Sequence, residues 1–168
     1  MIFKYLKKNF LINFFVILFI FLLDRATKIY VIYLDSKNLG DQLFSSKFLN
    51  IDLIWNQGVA FGLFAFTQSD LYHYLTGFIG LVIIFILYMI FKSVDFKKYF
   101  LLLIAGGALG NFYDRIYFSA VPDFIDFHID SFHWFTFNIA DLFITLGVIF
   151  MILYDFTDIN KKKINEKN

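Results

Sequence analysis

Four acids in this chain stand inside or beside long apolar runs: Asp24, Asp114, Asp123 and Asp141. An ionisable group in such a place is costly unless paired or hydrated, and is a functional candidate by default. Other catalytic groups are scarce. Cysteine is absent, so there is no thiolate nucleophile, disulfide or Cys-bound metal. No serine lies in a nucleophile-elbow pattern or has an evident Lys or His partner. His128 and His133 lack HExxH or another close ligand spacing, so neither a metal nor a cofactor is expected. What remains is carboxylate chemistry. Two acids that share a site do not both ionise cheaply. One can therefore take a proton from water while the other gives one to a scissile carbonyl. Asp123 and Asp141 are the natural pair. Asp123 directly follows Pro122, the only proline, whose fixed φ stiffens the loop leading to the last apolar run, and Asp141 lies near the start of that run.

The elements that must hold such a pair are membrane helices. Of the 168 residues 60% are hydrophobic and only 17% charged, against roughly a quarter charged in soluble domains. That balance excludes disorder and an ordinary soluble domain, and a net charge of +1 gives no reason to expect nucleic acid as a partner. Residues 1–168 read as a single integral membrane domain, all-α in class, with four spans at about 10–34, 71–91, 99–116 and 135–154. The first run is too long for a cleaved signal peptide and no small-residue cleavage site closes it. Ten of the 15 basic residues precede the first span, separate the second from the third, or follow the fourth. Both termini are therefore expected in the cytoplasm, with segments 35–70 and about 115–134 facing outward. A rise of about 1.5 Å per residue then brings Asp24, Asp114 and Asp141 into the outer part of the bilayer.

Neighbouring residues have supporting readings. Asp24 and Lys28 are four apart on one helix face, as a neutralising ion pair would be. Gly106-Gly107-Ala108-Leu109-Gly110 is a small-xxx-small pattern for close helix packing, and Asn111, Asp114 and Arg115 follow at once. Arg115 either joins the site or snorkels to the headgroups. Asn138 and Asp141, three apart, point the same way from the fourth helix. Asp126 and Asp130 read as solvated loop acids. Phe48–Trp55 partly alternates as a half-exposed strand does, Asn56-Gln57-Gly58 reads as a turn, and Ala60–Phe66 is apolar enough for the interface. The competing use of these acids is as a relay in a small proton- or ion-coupled transporter. A relay needs polar groups along the whole path, and the cytoplasmic halves of the spans carry almost none.

In order along the chain, Asp24-x-x-x-Lys28, Asn56-Gln57-Gly58-Val59-Ala60-Phe61-Gly62, Gly106 to Arg115, Val121-Pro122-Asp123-Phe124 and Phe137-Asn138-Ile139-Ala140-Asp141 resemble the motif blocks of the bacterial lipoprotein signal peptidases (signal peptidase II). The resemblance runs from about residue 10 to 155, and Pro122 stands where an aliphatic residue is common. It implies an intramembrane aspartic endopeptidase of the bacterial inner membrane, sensitive to globomycin. Such an enzyme removes the signal peptide of diacylglyceryl-modified prolipoproteins, cutting just before the lipidated lipobox cysteine. Its partners would be those substrates and membrane lipids. By motif match Asp123 and Asp141 would be catalytic, and Asn56, Gly58, Asn111, Asp114, Arg115 and Asn138 would line or brace the site. Asp24, Lys28 and Gly107 would be structural. A small extracytoplasmic β-cradle and an interfacial helix would come from the first outward segment.

Overall fold

The structure, a computed structural model, describes residues 2–58, 69–93 and 95–165. The chain forms α1 (Ile2–Lys37), β1 (Phe44–Ser45), β2 (Leu49–Asn56), α2 (Ser69–Lys92), α3 (Lys97–Phe118), β3 (Val121–Ile129), β4 (Phe132–Phe137) and α4 (Ile139–Asn165). The segment Ala60–Phe66, expected as an interfacial element, lies outside the described residues.

Among the described residues, three stretches are long and apolar enough to cross a bilayer: Phe10–Lys37, Leu71–Lys92 and Ile139–Thr157. Their outer surfaces carry exposed Phe15, Phe19, Phe78, Ile84, Phe85 and Ile152, a distribution suited to lipid rather than water. The remaining helix, α3, is different in kind. Its 22 residues include two lysines at the start and Asn111, Asp114 and Arg115 near the end. It packs against α1, α2 and α4. Its Asn111 and Asp114 side chains are met by groups on α1 and α4, so its composition need not match that of a lipid-facing span. Glycine makes the approach close. A Cβ at Gly106 would strike Ile20 of α1, and one at Gly107 would strike the Ala140 carbonyl and Ile144 of α4.

The strands form one antiparallel sheet in the order β1-β2-β3-β4. It is more extensive than the single strand expected at 48–55. β3 and β4 occupy 121–129 and 132–137, which correct the expected loop around Asp123 and the expected start of the fourth helix at 135. The reason is physical: Phe-Ile-Asp-Phe-His-Ile is interrupted by Asp126 and His128 and passes for a loop, and Phe-His-Trp-Phe-Thr-Phe runs into the apolar start of α4 and passes in part for membrane. However, their aromatic and β-branched residues suit a pleated surface. Pro122 fits because it lies in the first turn of pairing, opposite Trp55, before β4 joins at Ile125. Since β1 and β2 follow α1 while β3 and β4 follow α3, the sheet gathers one end of all four helices. The start of α1, the end of α2, the start of α3 and the end of α4 lie at the other.

Candidate active site

α3 closes at Ser119, whose left-handed φ of 55° turns the chain directly into β3. Four residues later Asp123 is buried, with its carboxylate held from two sides. Asn138 Nδ2 donates to Oδ1 at 2.6 Å, and Asn56 Nδ2, from the end of β2, donates to Oδ2 at 2.9 Å. The Asn56 carbonyl oxygen accepts the Gly58 N–H at 2.8 Å, which fixes which way its amide points.

Asn138 is the hinge of the arrangement. It precedes α4, and its Oδ1 accepts the Asp141 N–H at 3.1 Å while Asp141 Oδ2 accepts the Asn138 N–H at 3.2 Å. This is a reciprocal cap, with Asn and Asp in the places of the usual Ser/Thr and Glu. The expectation that Asn138 and Asp141 share a helix face missed it, although Asn-x-x-Asp before an apolar run is the signal. The cap leaves the Asn138 amide free to donate to Asp123, so one residue touches both carboxylates. Asp141 Oδ1 accepts from Asn111 Nδ2 at 2.7 Å.

Behind Asn111 lies a buried ion cluster. Lys28 Nζ reaches Asn111 Oδ1 (2.8 Å), Asp114 Oδ2 (2.6 Å) and Asp24 Oδ2 (2.9 Å). Arg25, which carried no expectation, pairs with Asp114 and Asp24 and lies over the Tyr113 ring. Asp24 Oδ1 also accepts the Ala140 N–H at 3.0 Å, so the first helix supplies a second cap to the fourth. Asp114 thus faces Lys28 and Arg25 and is linked to Asp141 only indirectly, through Lys28 and Asn111. Arg115 does not snorkel. It is buried and donates to the Gly58 carbonyl (2.9 Å) and the Asn111 carbonyl (3.2 Å).

A cavity of about 120 Å³ opens between these groups, its polar wall made by Asn56, Asn111, Arg115, Asp123 and Asp141. At about 30 Å³ per water it has room for a few waters beside both acids. Burial and the neighbouring Asp141 charge push the Asp123 carboxyl up to about 6, against the opposing hydrogen bonds from Asn56 and Asn138. An acid in that range keeps its proton far more readily than a solvated aspartate. Gly107 matters here because it sets the α3–α4 spacing. Gly107→Ala is expected to cost about 1–3 kcal/mol by overpacking. Activity should fall tenfold or more as Asp141 moves from Asn111, whereas Gly77→Ala, whose Cβ meets nothing within 4 Å, should leave activity unchanged and gain up to about 1 kcal/mol of helix propensity. Melting and cleavage assays on the two variants check this.

A buried and a half-buried carboxylate, both hydrogen-bonded to one asparagine beside a cavity with room for a few waters in a bundle of apolar helices, suit the class of membrane aspartic peptidases. Residues 16–157 match the family model described as Signal peptidase (SPase) II. The chain is 51% identical over 161 residues to a lipoprotein signal peptidase of Pelagibacter ubique (strain HTCC1062), covering 96% of each chain. It is 39% identical to that of Aquifex aeolicus (strain VF5), covering 80% of this chain and 86% of the relative. A bacterial membrane enzyme solved by the in meso method at 2.3 Å superposes with a TM-score of 0.72 at 31% identity, over 89% of this chain and 90% of the other. The chain belongs to the signal peptidase II family, the aspartic peptidases that remove signal peptides from prolipoproteins.

Proposed function

We propose that Asp123 and Asp141 are the catalytic dyad, cutting diacylglyceryl-modified prolipoproteins just before the lipidated cysteine. The observation that carries this is Asn138, which hydrogen-bonds both acids at the edge of the cavity. The ionised carboxylate takes a proton from water as its oxygen attacks the scissile carbonyl carbon, and the protonated carboxyl gives its proton to the carbonyl oxygen. The tetrahedral diol then collapses. The first acid passes its proton to the departing cysteine nitrogen, and the second recovers one from the hydroxyl. Arg115, whose Nε is buried without a partner, and the asparagines at the cavity hold the peptide and the developing oxyanion.

On this reading α3 is also a span, the third of four, both termini are cytoplasmic, and the sheet end with its dyad faces outward from the inner membrane. The clusters of lysine at the opposite end support that direction. The substrate's acyl chains remain among lipid and exposed helix surface, which keeps its scissile bond at the interface. Burying them is worth about 0.8 kcal/mol per CH₂ against water, and little against lipid. Selection therefore rests on shape and headgroup-level contacts, where globomycin would compete.

The test is cleavage of one prolipoprotein with and without its diacylglyceryl group by the purified protein, read by mass spectrometry of the new N-terminus. The lipidated form should be cut at the cysteine and the unmodified form at least about a hundredfold more slowly. Equal rates would overturn the lipid requirement, and a cut elsewhere the proposed substrate class.

A further inference from the structure

We propose that the β3–β4 hairpin carries a binding site for a divalent transition-metal ion of the zinc class, with Asp126, His128 and His133 as ligands. Asp126 and His128 are two apart on β3 and so share a face of the sheet, and His133 on β4 is the cross-strand partner of His128. The register shifts between the pairs at Asp126 and His128, so β4 carries one residue more there than β3. His133 Nδ1 lies 2.7 Å from Asp126 Oδ2. One ligand atom from each of the three residues lies within 4.8 Å of the others. Zinc bonds of about 2.0–2.2 Å need donors roughly 3.3–3.6 Å apart, so small side-chain rotations close the set.

Two further observations point to a cation rather than to a simple acid–histidine pair. Asp126 Oδ1 and His128 Nδ1 are buried and have no hydrogen-bond partner, which makes them a carboxylate oxygen and an imidazole nitrogen available to one ion. The other Asp126 oxygen is oriented from outside, as ligating carboxylates are: Asn50 Nδ2 donates to Oδ2 at 3.3 Å, and Ser45 Oγ donates to Asn50 Oδ1 at 3.0 Å. Asp126 is thus half-buried and partnered, not the solvated loop acid expected from the sequence. Two imidazoles and one carboxylate suit zinc, whereas calcium and magnesium prefer all-oxygen sets. Water completes the fourth position. The ion pins together the two strands whose roots hold Asp123 and Asn138, so it braces the hairpin without entering the reaction.

The experiment uses the full chain in detergent, without a polyhistidine tag, stripped by chelator and titrated with zinc chloride in a calorimeter. Bound metal is then counted after desalting. One zinc per chain is expected, with binding weakened more than about tenfold in His128→Ala and in His133→Ala and unchanged in His73→Ala. Cobalt(II) should give tetrahedral visible bands on the wild-type protein, and excess calcium should not displace them. Cleavage activity of the two hairpin variants reports that they are folded, and if either is not, the cobalt spectrum of wild type decides. Absence of a saturable site, no cobalt spectrum, or wild-type affinity in the His128→Ala/His133→Ala double variant would overturn the proposal and leave an acid–histidine pair only.

Discussion

Asp123→Asn and Asp141→Asn are each expected to lower single-turnover cleavage of a lipidated prolipoprotein by at least about a thousandfold. The double variant should be no worse than either single one, because the two acids act as a unit. Asn keeps the shape of the side chain, so the loss is chemical rather than a collapse of the site. Asp123→Asn also carries an internal control. The wild-type carboxyl titrates near 6 when folded and near its ordinary 3.8 when unfolded. Its proton is held more tightly in the folded state, so the stability it contributes is full below pH 4 and lost as pH rises through 6. At about 1.36 kcal/mol per unit the loss approaches about 3 kcal/mol. Asn escapes it, although its amide meets either the Asn138 or the Asn56 donor and forfeits one hydrogen bond. The melting temperature of the variant relative to wild type should therefore rise between pH 5 and pH 8. Asn56→Ala removes a donor that favours the ionised form, so the alkaline limb of kcat/KM should move to higher pH. Cleavage by Asp123→Asn within tenfold of wild type would remove Asp123 from the reaction.

How far the site was legible depends on the distance over which each residue acts. The helices follow from apolar runs, because burying or lipid-facing a side chain is a local cost. Pairing Asp123 with Asp141 needed only the scarcity of other chemistry. Their meeting point did not show, because Asn138 works through a cap that was read as a helix face. β3 was hidden by Asp123, Asp126 and His128, which read as a polar outward loop, and the end of β4 by its aromatic residues, which satisfy a hydropathy window as well as a strand. Contacts such as Ala140 N–H to Asp24, 116 residues apart, leave no trace in local pattern. Arg25 escaped notice for a related reason: its partner Asp114 is on another helix, and the glycine packing at Gly106 and Gly110, where a Cβ would strike Ile20 and the Asp24 carboxylate, brings the helices that close.

Lys28→Met is expected to destabilise the protein by about 3–5 kcal/mol and to lower cleavage about tenfold or more. The Lys28 side chain is fully buried, and its ammonium meets Asp24, Asp114 and the Asn111 oxygen, one acceptor for each of its three protons. Met fills similar volume but leaves two buried carboxylates to Arg25 alone, and that unpaired charge is the large term. The effect on rate has a separate route. Asn111 bridges Lys28 and Asp141, and without the ammonium nothing fixes which end of its amide faces the acid. Adding Asp114→Leu to Lys28→Met removes the stranded charge and should restore much of the stability, since apolar replacement of a whole buried pair is often neutral. It cannot restore the anchor for Asn111, so cleavage should stay low. Melting in detergent and single-turnover cleavage of the single and double variants separate the two. If activity returned with stability, Lys28 would act as a fold support only. If Lys28→Met melted with wild type, the buried cluster would not be what holds the first helix to the third.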